Sequence, residues 1–279
     1  LGQIANRYGV PLESLISVNQ LANPNILEIG QLLTVPVPTP GSPAPDFKII
    51  PDSELVYSPT NMDFDVAGFI QAQGGYLSGY REEIGEATFS GVEIIQRVAL
   101  DYSVNPALLL AVLEYQSGWV TETRPSETTL EYPIGVVGYN REGLYHQMTW
   151  AANMLNQGYY LWRVNGVATW LLGDGSLVAV NPAVNAGTAG VQQFFAPLYD
   201  RDGWQRAVSP EGLSATYETL FGFPFTYVLE PLVPTSLAQP PMQLPFEPGR
   251  PWAFTGGPHG GWGNGSAWAA LDFAPQACL

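Results

Sequence analysis

Cysteine, histidine and basic residues are scarce in this sequence of 279 residues. With Cys278 as its one cysteine, the chain cannot form a disulfide within itself. The 10 Lys and Arg residues stand against 25 Asp and Glu, which gives a net charge of −15 at pH 7. A field of that sign repels nucleic acid and anionic membranes, so neither is a predicted partner. No apolar run reaches the roughly 18 residues of a membrane-spanning helix, so no membrane span is predicted.

Glycine, proline and aromatic residues are plentiful, while only 13% of the residues are charged. Such a surface suits an extracellular protein that meets carbohydrate. The length predicts about two or three domains. Proline-rich stretches at 37–59 and 226–248 indicate linkers, because closely spaced prolines favour an extended, semi-rigid chain. They separate three predicted domains, 1–36, 60–225 and 249–279.

Residues 1–36 show two short helical patterns, a turn and a predicted strand, "QLLTV". Their order, with "IANRYGV", Asn19 after the second helix and "NPNILEIGQLL", resembles the LysM domain. That resemblance implies a small α+β fold that binds peptidoglycan or another glycan containing N-acetylglucosamine. The first strand of a LysM domain has no counterpart, so the sequence is expected to begin inside the domain.

Residues 60–225 show helical periodicity in several segments and no convincing alternation of strands, so this domain is predicted to be mainly α. The segments are "SGVEIIQRVALDYSV", "NPALLLAVLEYQSGW", "LYHQMTWAANMLNQGYYLWR" and "NAGTAGVQQFFAPL". The second is apolar nearly all round, which predicts a buried central helix. Asn105 and Pro106 fit its N-cap and first position.

The end of this helix, "QSGW", resembles the lysozyme-like transglycosylases and goose-type lysozymes, in which a glutamate at this point is the general acid. Gln116 occupies that position and cannot donate a catalytic proton. Glu114 lies about 200° around the helix from residue 116, which makes it a poor substitute. We therefore expect a lysozyme-like domain that has lost its activity; an active glycosidase using Glu114 is the alternative. His146 is expected to be a hydrogen-bonded histidine of the core or its rim.

The last segment contains "GGPHGGWGNGSAWAALDFAP", with His259 and Asp272. The apolar run "ALDFA" predicts a buried strand, and burial of an unpaired carboxylate costs several kcal/mol, which a metal cation would offset. Imidazole and carboxylate are ligands of hydrolytic zinc, which takes three protein ligands and an open position for water. A glycine-rich surface loop with a solvated histidine is the competing interpretation.

The "GGPH" and "LDFA" stretches resemble the first zinc motif of the lysostaphin and beta-lytic metallopeptidases, which cut cell-wall peptides. The resemblance implies that His259 and Asp272 are metal ligands on adjoining strands of a β-rich domain that begins at 249. It also implies a third ligand and catalytic histidines, but no histidine follows His259, so this chain alone is expected to be inactive. Cys278 is expected to have a partner elsewhere.

The sequence thus predicts a secreted or cell-envelope multidomain protein that binds peptidoglycan. Its full-length form is expected to be a zinc metalloendopeptidase that acts on cell-wall peptides, of which this chain is a catalytically incomplete portion. The alternative is a non-catalytic envelope scaffold or glycan-binding structural protein. A His-x-His sequence beyond residue 279 would distinguish the two. The sequence leaves the assembly state open.

Overall fold

The computed structural model combines helices with short sheets. It describes residues 1–8, 10, 12–21, 23, 27, 31–36, 43–139, 141–226, 228–229, 232, 241, 246, 249–260 and 268–275. For residues 3, 6, 7, 254, 256–260 and 268–272 it describes the backbone only. Within these ranges no helix is both long enough and apolar enough to cross a bilayer.

The N-terminal domain contains helices α1 (Gly2–Arg7) and α2 (Leu12–Val18). Ala5, Val10 and Leu15 form a small buried cluster between them. Asn19 ends α2 as predicted: its amide donates to Leu15 O at 2.8 Å and to Thr34 O at 2.7 Å, and its Oδ1 accepts from Thr34 N. No strand is assigned to the described residues 31–36, where the sequence predicts one. Asn19, rather than a neighbouring strand, pairs with the backbone of Thr34.

The large second region is built mainly from helices. In chain order they are α3 (Asp52–Leu55), α4 (Val66–Gln73), α5 (Tyr76–Gly79), α6 (Gly91–Tyr102), α7 (Pro106–Ser117), α8 (Gly143–Arg163), α9 (Ala186–Phe195), α10 (Arg201–Ala207) and α11 (Ala215–Phe221). Single-turn helices occupy Glu127–Thr129, Ala196–Leu198 and Pro210–Ser214.

Helix α7 is the centre of the core, as its continuous apolar sequence predicts. Every residue from Leu108 to Leu113 is inaccessible to solvent. Asn105 accepts from Ala107 N at the start of the helix, and Gly118 ends it in the left-handed conformation with φ 68°. Around it, α8 packs closely on α9, where a Cβ on Gly158 would lie 2.5 Å from Ala189 O.

This region also contains two short β-hairpins that the sequence analysis did not predict. Strands β1 (Arg81–Ile84) and β2 (Ala87–Ser90) pair antiparallel, as do β3 (Thr169–Leu171) and β4 (Leu177–Ala179). Strands of three or four residues are too short to show a period of two, and β1 is charged at three of its four positions. The domain is therefore mainly α with small antiparallel additions.

The second half of the predicted linker 37–59 belongs to the core in the structure. Ile49, Ile50 and Leu55 are fully buried in the same cluster as α7. Ile49 N donates to Thr188 Oγ1 at 2.8 Å, and Ala44 N donates to the β4 residue Ala179. The apolar residues after the prolines fill the gap beside α9, a long-range contact that local composition cannot reveal. The second predicted linker, 226–248, lies mostly outside the described residues.

The C-terminal segment forms one antiparallel pair within the described residues, β5 (Trp252–Gly260) and β6 (Trp268–Pro275). Gly256 is opposite Asp272, and His259 is opposite Ala270. The register shifts between Phe254 and Gly256, between Gly256 and His259, and again before Gly260. A β-rich segment is thus present where the sequence predicts it.

Candidate functional site

Gln116, at the position of the expected acid, is held by two hydrogen bonds. Its Nε2 donates to Ile134 O at 2.8 Å, and its Oε1 accepts from the Tyr199 hydroxyl at 2.5 Å. Burial and the neighbouring Tyr115 raise the pKa of Tyr199 to about 12, so the phenol is neutral at physiological pH. The carbonyl and the amide have no acidic proton, and a phenol whose pKa is raised is a much weaker acid than the carboxyl group of a glycosidase.

Glu114 has a separate structural use on the same helix. Its carboxylate accepts from Val120 N at 3.0 Å, from Thr121 N at 3.1 Å and from the Thr121 hydroxyl at 2.5 Å. These contacts fix the chain just after α7, away from the partners of Gln116. That Glu114 is a poor substitute for the missing acid stays a prediction.

The loop that contains Ile134, the partner of Gln116, is held by hydrogen bonds from Gln147 of α8. Gln147 is fully buried; its Oε1 accepts from Ile134 N and Val136 N, and its Nε2 donates to Val136 O and Arg141 O. The same loop exposes Val137 and Tyr139. Sequence analysis missed Gln147, although its spacing from Leu144, Met148 and Ala151 places it on the core face of the helix.

His146 lies on the exposed side of α8. Its Nδ1 is 3.1 Å from Glu142 O, one turn earlier in the chain. This hydrogen bond matches the expectation for a rim histidine. Within the described residues, His, Cys, Asp and Glu form no group of three that could hold a metal ion.

The predicted metal ligands lie on neighbouring strands. His259 is in β5 and Asp272 is in β6, and their register positions, opposite Ala270 and Gly256, are close along the hairpin. Their side chains lie outside the described residues, so the predicted convergence on one metal position stays a prediction. An imidazole and a carboxylate on adjacent strands fit zinc in donor type, but they supply two of the three ligands that a hydrolytic site uses.

Comparison with known proteins identifies two families. The LysM domain matches residues 1–36. The family described as "LasA, N-terminal domain" matches residues 48–234, more than half of the chain. The chain therefore belongs to the LasA N-terminal domain family. No curated protein matches the chain, and no solved structure does.

These matches confirm the LysM domain predicted at the N-terminus. LasA is a staphylolytic metallopeptidase, so the second match indicates a relationship to that class. It covers the region that the sequence analysis assigned to a lysozyme-like domain, for which the comparisons give no match, and that resemblance stays a prediction. The sequence analysis did not identify this family, because it found no catalytic motif typical of it in residues 48–234.

Proposed function

We propose that this chain is the wall-binding part of an extracellular zinc metalloendopeptidase that cuts peptidoglycan peptides. The observation that carries the proposal is the combination, in one chain, of a LysM domain and a LasA N-terminal domain. The antiparallel pairing that brings His259 and Asp272 onto adjacent strands supports it. The low fraction of charged residues, 13%, and the abundance of aromatic residues suit an extracellular location.

The LysM domain supplies the attachment to the wall. LysM domains bind peptidoglycan and other glycans that contain N-acetylglucosamine, and residues 1–36 would bind the same chains. A peptidase held on its polymer meets the peptide cross-links at a high effective concentration. Glycan binding by the first domain thus raises the rate of cleavage elsewhere without contributing to the chemistry.

His259 and Asp272 would hold the zinc ion together with a ligand from outside the 279 residues. Zinc supplies a Lewis acid and lowers the pKa of a bound water to about 7. The contribution of this chain is the placement of a neutral imidazole and a carboxylate on paired strands, whose backbone hydrogen bonds limit their movement. With two ligands and no further histidine after His259, the chain as printed is expected to bind zinc weakly and to cleave nothing.

The test uses the protein made from its complete gene and purified cell walls. We expect release of wall peptides, loss of that release in His259→Ala and Asp272→Ala, and retention of it in His146→Ala. His146 is the matched control because it is the other histidine of the sequence and is exposed on a helix of the central region. Binding to insoluble peptidoglycan should be equal in all four proteins, since the LysM domain is unchanged.

A non-catalytic envelope scaffold is the second candidate, supported by the neutral Gln116 and the fully hydrogen-bonded Glu114 in the central domain. A complete protein that binds walls, contains no His-x-His sequence and releases no peptide would establish it in place of the peptidase.

A further inference from the structure

A shallow pocket of about 400 Å³ lies beside α5 and the chain segment that follows α7. It is lined by residues of one short stretch and by one residue beyond α7, namely Gly75, Tyr76, Ser78, Gly79, Tyr80, Arg81 and Thr123. None of its described lining residues is a partner of Gln116, a LysM residue or a predicted zinc ligand. Aromatic walls with a few polar groups are the usual composition of a small-molecule site.

The two tyrosine walls are held in place from behind by one buried tryptophan. Trp119 is inaccessible to solvent, and its ring lies 4.8 Å from the Tyr76 ring and 5.0 Å from the Tyr80 ring, centroid to centroid. The Tyr80 hydroxyl donates to Glu82 at 3.2 Å and accepts from Leu144 N at 3.4 Å. Burial raises the pKa of Tyr80, so its phenol stays neutral, and the two hydrogen bonds and the contact with Trp119 hold the ring in place. The walls are thus ordered before any ligand binds.

Two polar side chains of the lining are already paired, since the Ser78 hydroxyl donates to Gly75 O at 2.7 Å and the Tyr80 hydroxyl donates to Glu82. The other three have no hydrogen-bond partner among the described residues. Arg81 is exposed and forms neither an ion pair within 4.0 Å nor a hydrogen bond from its side chain there. The Tyr76 and Thr123 hydroxyls are also without hydrogen bonds in that part of the chain. Glu93 is close enough for Arg81 to lower its pKa, but its carboxylate is bound to Ser90. These three groups therefore remain available to a ligand.

We propose that this pocket binds an acidic sugar, with its ring on the tyrosines and its carboxylate on Arg81. A guanidinium pairs with a carboxylate through two parallel hydrogen bonds, and the unbound hydroxyls of Tyr76 and Thr123 suit the hydroxyl and amide groups of a sugar. The rest of the protein carries a net negative charge, which repels anions in general. Binding of a carboxylate at this pocket therefore depends on Arg81.

The inference adds a second wall contact to the proposed function, because acidic sugars occur next to N-acetylglucosamine in wall glycan. It does not depend on zinc or on cleavage. A failure here would leave the metallopeptidase proposal intact, and a protein without peptidase activity could still bind the sugar.

The test compares N-acetylmuramic acid with N-acetylglucosamine, which have the same ring and differ by a lactyl carboxylate. Residue-resolved NMR titration of the 279-residue chain separates this pocket from the LysM domain. We expect N-acetylmuramic acid to shift the amide signals of residues 75–81 and 123, with much smaller shifts from N-acetylglucosamine and from acetate. Arg81→Gln should weaken the binding about tenfold, the usual effect of removing one charged hydrogen-bond partner.

Two further variants complete the test. Arg206→Gln removes the same charge from an exposed site outside the pocket and should leave the affinity unchanged. Gly79→Trp adds bulk at the lining, where a Cβ would meet no atom within 4 Å, and should abolish the shifts while the protein stays folded. No shifts in residues 75–81, equal responses to both sugars, or equal weakening by Arg81→Gln and Arg206→Gln would overturn the proposal.

Discussion

The end of helix α7 and the hairpin β5–β6 both contain polar residues that resemble catalytic ones, yet they differ in how those residues are used. At the end of α7, Gln116 and Glu114 bind carbonyl, hydroxyl and amide groups of their own domain. In the hairpin, a histidine and an aspartate lie on paired strands whose register is shifted next to both of them. The first arrangement stabilises a fold. The second brings the backbones of a histidine and an aspartate onto adjacent strands, and the zinc site built on them is a proposal.

The role of a polar side chain at a catalytic position depends on the groups to which it is bound. Gln116 has one donor contact and one acceptor contact inside the protein, so it contributes to stability. Substitutions near α7 are therefore expected to change the free energy of unfolding without changing the zinc content. Substitutions at His259 or Asp272 are expected to lower the zinc content without changing the free energy of unfolding of the central domain.

The largest effect in the central domain is expected from Gln147→Leu. The substitution leaves Ile134 N, Val136 N, Val136 O and Arg141 O without their buried partner. We expect the free energy of unfolding to fall by about 3 kcal/mol, measured by urea denaturation. Gln205→Leu, on an exposed position of α10, is the control and should change it by less than about 0.5 kcal/mol. Equal effects of the two substitutions would show that Gln147 does not hold the loop.

A smaller, pH-dependent effect is expected from Gln116→Glu. The new carboxyl faces Ile134 O, which disfavours its ionised form and raises its pKa in the folded protein. Below the unfolded pKa of about 4.3 the carboxyl is protonated in both states, so the variant keeps the hydrogen bond. Stability should then fall by about 1 kcal/mol relative to the unmodified protein as the pH rises through the folded pKa.

Urea denaturation at several pH values measures this dependence, and Gln205→Glu provides the exposed control. A difference between Gln116→Glu and the unmodified protein that stays constant from acid to neutral pH would contradict the hydrogen-bonding role of Gln116.

The smallest effect is expected at the capping box of α6. Ser90 N and the Ser90 hydroxyl donate to Glu93, and these bonds lower the pKa of its carboxyl. Glu93 therefore stabilises the folded state above its unfolded pKa, and the contribution is lost as the pH falls through the folded value. Glu93→Gln should be less stable than the unmodified protein at neutral pH and match it in acid.

Glu86→Gln, in the exposed turn between β1 and β2, serves as the control for that comparison. A Glu93→Gln variant that loses the same stability at every pH would show that packing, rather than the capping hydrogen bonds, matters there.

Much of the fold could be predicted from the sequence where the signal is local. The cap of α7 by Asn105, its burial, and the helices α6, α8 and α9 follow from side-chain periodicity and capping residues. The packing of Ile49 and Ile50 against the core could not be predicted, because it depends on Thr188, more than a hundred residues away. The short strands β1 to β4 carry too few residues for a pattern.

The candidate sites were predictable to different degrees. The loss of a proton donor at Gln116 is visible in one letter of the sequence, but its partner Tyr199 is 83 residues away. The pocket around Arg81 has no sequence signature, since it depends on Trp119, just after α7, packing behind Tyr76 at the start of α5 and Tyr80 just after it. His259 and Asp272 were recognisable by residue type, and the hairpin brings their backbones onto adjacent strands.

Zinc content of the protein made from its complete gene tests the central claim most directly. The account predicts one bound zinc in the site, loss of that zinc in His259→Ala and in Asp272→Ala, and full retention in His146→Ala, with unchanged free energy of unfolding in the central domain. Zinc that stays bound when both His259 and Asp272 are replaced, or a complete protein that binds none, would contradict it.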